Sequence, residues 1–201
     1  MLRLTEDEST QLVLRVAGLF QTHLNGFSAG KYPDLDYVGF LKAFAAPSTV
    51  DAASLRNALL WKYGHWNKSN YPERHDQLIA RVVELWADLV ATLPATPSAV
   101  FTFLHMKSGV PYVSAAFLTH LLFPLDIPII DQHNFRAMNQ LLKAVRPGWT
   151  HRRLPSSYHD LLDLNAFLRE ILTQWSSTSD VPPSTRELDK FLMAYGKSIK
   201  N

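Results

Sequence analysis

The chain has 201 residues, no cysteine and a formal net charge of only +2. The absence of cysteine excludes disulfide bonds, cysteine-ligated zinc and cysteine-ligated iron–sulfur clusters. With 47% hydrophobic and 19% charged residues, the composition is that of a folded globular protein, and no global basic field points to nucleic acid.

The early residues and the apolar segments predict a cytoplasmic protein that does not enter a membrane. Residues 1–8 end in three acidic side chains and lack the apolar core of a signal peptide. The longest apolar runs, such as 121–125, are far too short to span a bilayer. The lack of cysteine also fits a reducing compartment.

Helical periodicity predicts an all-α fold, and no run of residues alternates as a strand does. Residues 6–24 carry apolar positions at helical spacing after an acidic first turn. The glycine and proline residues of 26–33 end this helix, and a short helix is predicted over 37–45. Thr49 or Asp51 is predicted to cap the next helix.

The rest of the chain continues this pattern. The predicted elements are a loop at 64–72, helices at 73–93, 99–107 and 112–122, a proline-framed connector at 124–128, a helix opening at Asp131, and helices at 158–175 and 184–199. Ser98 is the predicted cap of the helix over 99–107. A tight turn at 108–111 joins that helix to the next.

Residues 107–139 are the informative segment, with the sequence KSGVPYVSAAFLTHLLFPLDIPIIDQHNFRAMN. They predict a helix, a tight glycine turn, a second helix, a rigid loop and a third helix that opens with Asp131. A glycine turn between two helices exposes backbone N–H groups and a helix N-terminus, which bind phosphate without reading sequence.

This segment resembles the helix-hairpin-helix DNA glycosylases, including their endonuclease III-like and MutY-like branches. Those enzymes carry a hairpin of the form Leu-Pro-Gly-Val-Gly, followed by a stretch like Val/Ile-Pro-Val/Ile-(x)-Asp-x-His. Gly109 and Val110 match the hairpin, residues 128–130 match the approach to the aspartate, and Asp131 and His133 match the Asp-x-His pair.

The resemblance implies that Asp131 is the catalytic carboxylate. In the family, the target nucleotide is flipped out of the duplex, and the aspartate stabilises positive charge on the sugar or orients a water molecule. By the same resemblance, the residues that contact the DNA backbone are Lys107, Ser108, Gly109, Val110, Tyr112, Ser114 and His133. The chain has no cysteines to hold the iron–sulfur cluster that some branches of the family carry, so we expect no cofactor. Because the eight histidines show no metal-binding spacing, we also expect no metal.

The sequence departs from the family at two positions. Bifunctional members place a Schiff-base lysine where this chain has Val113, so the resemblance implies a monofunctional enzyme that leaves an abasic site. Lys62 or Lys107 remains an alternative amine for a glycosylase/lyase. Pro111 replaces the second hairpin glycine and has no N–H, so one phosphate contact of the usual hairpin is expected to be lost.

A second segment, residues 59–71, is dense in aromatic and polar side chains. In the family, the corresponding place supplies the residue that wedges into the duplex and part of the base pocket, where aromatic faces stack on the flipped base. The candidates for these roles are Trp61, Lys62, Tyr63, His65, Trp66, Asn67 and Asn70.

The resemblance implies a two-lobed helix-hairpin-helix glycosylase fold with a cleft between the lobes. Residues 1–48 plus 132–201 are expected to form a terminal lobe, and residues 49–131 a central lobe. We expect a monomer that binds double-stranded DNA. A DNA-binding hairpin module without catalysis remains an alternative, and repair of damaged bases is not distinguished from removal of modified bases in phage DNA.

Overall fold

A computed structural model describes residues 2–66, 68–93, 95–150, 152–179 and 181–199. All regular structure within these ranges is helical, which confirms the all-α prediction. The helices are α1 Glu6–Leu24, α2 Asp34–Phe44, α3 Ala52–Lys62, α4 Glu73–Ala91, α5 Pro97–Phe101, α6 Tyr112–Leu122, α7 Gln132–Val145, α8 Tyr158–Thr178 and α9 Thr185–Ser198. A π-helical segment, Thr102–Lys107, continues α5, and short 3-10 turns lie at Ala29–Lys31 and Pro47–Thr49. Over the described ranges, no helix is both long and apolar enough to cross a membrane.

Local capping signals set most of the helix starts. Thr5 and Ser184 form capping boxes at α1 and α9, and the Asp51 side chain accepts the N–H of Ser54 at the start of α3. Such side chains satisfy amides that the first helical turn leaves unpaired. The cap of α5 was predicted wrongly: it is Thr96, whose hydroxyl accepts the N–H of Ala99, and not Ser98.

The chain divides into two compact units, which we name the terminal unit (Met1–Phe27 with Pro128–Asn201) and the central unit (Ser28–Ile127). Residues 28–48, which we expected in the terminal lobe, belong to the central unit. The reason is aromatic packing: Tyr37 stacks on Trp61 with ring centres 5.5 Å apart, and Phe44 meets Trp86 edge-on at 5.4 Å. The second division falls before Pro128 and not after Asp131.

The terminal unit is built from α1, α7, α8 and α9, with α7 packed most extensively against α9. Its buried core includes Leu12, Val16, Phe135, Leu141, Leu164, Phe167, Leu188 and Phe191. Gly196 of α9 lies so close to the start of α7 that a Cβ there would overlap the carbonyl oxygen of His133. At the other end of α7, the Arg146 guanidinium donates to both carboxylate oxygens of Glu8 of α1, at 2.6 Å each.

The central unit packs α2–α6 around Trp61, whose ring stacks between Tyr37 and Phe117. The buried His120 of α6 donates from Nδ1 to the carbonyl oxygen of Ile127, while its Nε2 accepts the Tyr37 hydroxyl at 2.7 Å. Because both ring nitrogens have partners, this histidine is a satisfied core residue. It fixes the end of the connector that leads towards Asp131.

Candidate functional site

The predicted hairpin forms between the π-helical segment and α6. The N–H of Ser108 donates to the carbonyl oxygen of Phe103, and the N–H of Val110 donates to the carbonyl oxygen of Leu104 at 2.9 Å. Gly109 adopts a positive φ of 65°, in the left-handed region where glycine carries no Cβ penalty. The buried Val110 side chain then anchors the turn, while Gly109 remains exposed.

A cation that the sequence did not suggest lies against this turn. A Cβ built on Gly109 would lie 3.4 Å from an Nη atom of Arg81, which comes from α4. Arg81 and Lys107 are both exposed. The hairpin therefore presents an exposed backbone turn beside a guanidinium, a combination suited to phosphate oxygens. Arg81 lies far from the hairpin in sequence and in no motif, so only the fold identifies it.

The predicted hairpin contacts divide by exposure. Lys107 and Gly109 are exposed, Ser108 and Tyr112 are half-buried, and Val110 and Ser114 are buried. The Ser114 hydroxyl hydrogen-bonds the Tyr63 hydroxyl at 2.7 Å, and its N–H donates to Pro111. Since the polar groups of Ser114 and the amide of Val110 are engaged inside the fold, we correct these two from DNA contacts to supports of the turn.

Asp131 is the N-cap of α7, as its place before the helix predicted. Its Oδ1 accepts the N–H groups of His133 at 2.7 Å and Asn134 at 3.0 Å. In return, the Asn134 Oδ1 accepts the Asp131 N–H at 2.7 Å, which completes a capping box. Asp131 and His133 are both half-buried. The carboxylate therefore has a fixed orientation, and it also has a structural role that an aspartate fills well.

The predicted site residues are distributed over both units. Asp131 and His133 belong to the terminal unit, whereas the hairpin and residues 59–71 belong to the central unit. Within the central unit, the bond between Ser114 and Tyr63 joins the hairpin helix to the end of α3.

A polar cavity of about 590 Å³ lies beside the aromatic segment of the central unit. Two predicted pocket residues, Trp66 and Asn70, line it, whereas Asn67 lies outside the described residues. The other lining residues are Arg56, Asn57, Leu60, Lys68, Ser69, Tyr71, Glu73 and Asp76. Helices α3 and α4 supply five of these eight, and none of the five was among the predicted pocket residues.

An ion pair fixes one wall of this cavity. The Arg56 guanidinium lies 2.8 Å from Asp76 Oδ1, which also accepts the Tyr71 hydroxyl at 2.9 Å. Arg56 donates to the Tyr71 hydroxyl as well. This arrangement brings hydrogen-bonding groups from α3, the loop and α4 together in one wall of the cavity.

Three other predicted pocket residues lie inside the fold. Trp61 is buried, and its Nε1–H donates to the Pro33 carbonyl, so it is a core residue and we correct its assignment as a stacking or wedging residue. Lys62 is buried with its ammonium 5.8 Å from the centre of the Phe117 ring. Burial raises the pKa of Tyr63, which bonds to Ser114 as described above.

His65 belongs to a stack of rings behind the cavity wall. Its ring centre lies 5.0 Å from that of His75 and 5.8 Å from that of Tyr71, and His75 stacks on Tyr63 at 4.3 Å. Among the described residues, neither the His65 Nδ1 nor the His75 Nδ1 has a hydrogen-bond partner, although both atoms are buried. Burial lowers the pKa of both histidines below the ordinary 6.5.

This stack predicts a loss of stability in mild acid. Between the lowered pKa values and 6.5, the unfolded chain binds more protons than the folded chain. The contribution of the two neutral histidines to the free energy of unfolding is therefore fully present above this pH window. This contribution is lost as the pH falls through the window. We expect the melting temperature of the wild type to fall more steeply below about pH 6.5 than that of a His65→Gln/His75→Gln variant. His159→Gln, at an exposed position, is the control. Parallel pH profiles for wild type and double variant would contradict the expectation.

Comparison of the chain with protein-family models, curated proteins and solved structures finds no match. Within the described part of the chain, no three His, Asp or Glu side chains meet in an arrangement that would hold a metal ion. A function can therefore be inferred only from the chain's own residues and from the resemblance of residues 107–139.

Proposed function

We propose that this protein is a monofunctional DNA glycosylase that flips a damaged or modified base from duplex DNA and hydrolyses its N-glycosidic bond. The proposal includes the finer architecture that the resemblance implies, a two-lobed helix-hairpin-helix fold with a cleft between the lobes. The single observation that carries it is Asp131, an N-cap carboxylate with a fixed orientation that follows a glycine hairpin in the order of the family motif.

The chemistry that we assign to Asp131 is stabilisation of a developing cation. The C1′–N bond breaks, and its electron pair leaves with the base, which takes up a proton. Water adds its oxygen to C1′ and gives up a proton to the carboxylate, so an abasic sugar remains. A preorganised charge beside C1′ lowers the barrier because it needs no reorientation during the reaction.

The hairpin supports the proposed DNA contact. Gly109 is exposed at a positive φ beside Arg81, and Lys107, directly before the turn, adds a second exposed cation. Contacts of this kind bind the sugar–phosphate backbone and fix the register of the protein on the duplex.

The cavity beside Trp66 supports a base-binding role for the central unit. A flipped base needs a ring to stack on and polar groups that read its edge. Trp66 is half-buried at the cavity, and Asn57 and Asn70 supply amides with both donors and acceptors.

The test is a base-release screen. Duplexes carrying oxidised, alkylated or mispaired bases, and phage genomic DNA with modified cytosines, are incubated with the protein and then cleaved with hot alkali at abasic sites. We expect strand cleavage on at least one substrate class. Failure on the whole panel, with tight DNA binding retained, would contradict the glycosylase proposal.

Arg81 gives a separate prediction about affinity. We expect Arg81→Gln to weaken binding to all duplexes alike and to make the slope of log K against log salt concentration shallower by about 1, because one phosphate contact is lost. Fluorescence anisotropy over a salt series measures this slope. Lys42→Gln, at an exposed position of α2 in the same unit, is the matched control. Equal slopes for Arg81→Gln and Lys42→Gln would show that Arg81 does not contact DNA.

A DNA-binding module without catalysis is the second candidate, favoured by the capping role of Asp131. A helix N-cap alone explains an aspartate at this position. This candidate predicts salt-dependent duplex binding without base release on any substrate of the panel.

A glycosylase/lyase would need a lysine that reaches the abasic sugar. The burial of Lys62 against Phe117 disfavours it for this role, whereas Lys107 is exposed. Borohydride traps the imine of a lyase as a covalent protein–DNA adduct. We expect no adduct from the wild type, and an adduct that disappears in Lys107→Ala would establish the lyase instead.

A further inference from the structure

The capping box of Asp131 depends on one buried amide. The Asn134 side chain is 1% exposed, and its Oδ1 accepts the Asp131 N–H. Its Nδ2 donates to the carbonyl oxygen of Ile129 at 2.7 Å and to Asp189 Oδ1 at 3.3 Å. A flipped amide would set its NH₂ against an N–H and its oxygen against two acceptors. The three contacts therefore permit one orientation only.

Asp189 ties this amide to another helix. Ile129 belongs to the same connector as Asp131, whereas Asp189 belongs to α9. The Asp189 side chain is buried, and its other oxygen accepts a hydrogen bond from Arg186. The Arg186 guanidinium in turn lies 5.8 Å from the centre of the Phe27 ring. A continuous polar chain thus runs from Arg186 through Asp189 and Asn134 to Asp131.

Stability alone does not explain this chain. The Asp189 carboxylate is buried and the Arg186 side chain is half-buried, and an apolar pair at these two positions would stabilise the fold about as well as the ion pair, because removing charges from water costs desolvation energy. The ion pair adds orientation. Arg186 fixes the Asp189 carboxylate, and this carboxylate fixes the side-chain amide of Asn134. The Asn134 amide in turn fixes the backbone N–H of Asp131.

We infer that Asp189 is a positioning residue that holds the Asp131 carboxylate in its reactive orientation. This inference rests on the proposed function, because Asp131 is the group that acts on the sugar. Asp189 itself touches neither substrate nor water in the reaction. Its effect reaches the chemistry through Asn134.

The test removes the hydrogen bond without leaving an unpaired charge. The double variant Asp189→Leu/Arg186→Met removes both charges at once, so the protein is expected to remain folded. In Asp189→Asn/Arg186→Gln, an acceptor oxygen for Asn134 remains. On the best substrate of the base-release screen, we expect the apolar variant to lower kcat about tenfold to 100-fold with little change in KM, since a small misplacement of a catalytic group has this effect. The amide variant is expected to restore most of kcat.

Asp160 provides the matched control. It is a buried carboxylate of the same unit, pairs with Arg152 and closes the capping box of α8. We expect Asp160→Asn to leave kcat unchanged at a temperature where circular dichroism shows every variant folded. An equal loss of kcat in the Asp160 and apolar variants would overturn the inference.

A second readout separates this inference from the glycosylase proposal. The amides of His133 and Asn134 donate to Asp131 Oδ1, so their hydrogen exchange reports the state of the cap. We expect exchange at these two amides to rise about tenfold in the apolar variant and not in Asp160→Asn, whether or not the wild type releases a base. Unchanged exchange would overturn the positioning role, whereas a rise without any excision by the wild type would overturn only the proposed function.

Discussion

Replacing Asp131 by asparagine is expected to abolish base excision while leaving the stability of the protein almost unchanged. Asparagine caps helices about as well as aspartate, because its side-chain oxygen accepts the same amides of His133 and Asn134. The loss of charge beside the helix N-terminus typically costs about 0.3–1 kcal/mol. The sugar cation, however, loses its counter-charge, so we expect the rate to fall by about 10³-fold or more.

Asp131→Ala separates the two roles of this residue. Alanine removes both the cap and the charge, so we expect it to be as inactive as asparagine and about 1–2 kcal/mol less stable than the wild type. Single-turnover excision and urea unfolding measure the two effects on the same protein samples. If the asparagine variant excised bases within about tenfold of the wild-type rate, Asp131 would be a helix cap only.

Local signals allowed the sequence to predict the helices that position the candidate site. The predicted spans 6–24 and 112–122 match α1 and α6 at both ends. The position of Asp131 before a strongly periodic segment predicted that it opens α7, and the structure has it as the N-cap. Caps and apolar periodicity act over a few residues, so these features are readable without knowing the fold.

Features that depend on packing between distant residues were not predicted. The resemblance predicts Trp61 as a base-pocket residue because residues 59–71 correspond in position to the family's pocket segment, but rings from α2 and α6 cover both faces of Trp61. The same α2 contacts place residues 28–48 in the central unit. Arg81 and Asp189 reach the hairpin and the Asp131 cap from helices far away in sequence. No local pattern marks contacts of this kind, since they arise only when the helices pack.

Gly196→Ala is expected to cause a large loss of stability, of about 2–3 kcal/mol, through one added methyl group. On propensity alone, alanine would stabilise this helix by up to about 1 kcal/mol. In this fold, however, the added Cβ would overlap the backbone carbonyl oxygen of His133. A backbone atom has no alternative rotamer, so α9 must shift away from α7 along its main contact in the terminal unit.

Gly18→Ala in α1 is the matched control for this substitution. Gly18 is also helical and belongs to the same unit, but a Cβ there meets nothing within 4 Å. We therefore expect Gly18→Ala to raise the melting temperature and Gly196→Ala to lower it, as measured by circular dichroism. Equal effects of the two variants would mean that α7 and α9 do not approach at Gly196.

The carbonyl that the added methyl group displaces belongs to His133, whose N–H donates to Asp131. The folded fraction of Gly196→Ala is therefore also expected to excise bases more slowly. The close approach of α7 and α9 thus links the stability of the terminal unit to the orientation of the proposed catalytic carboxylate.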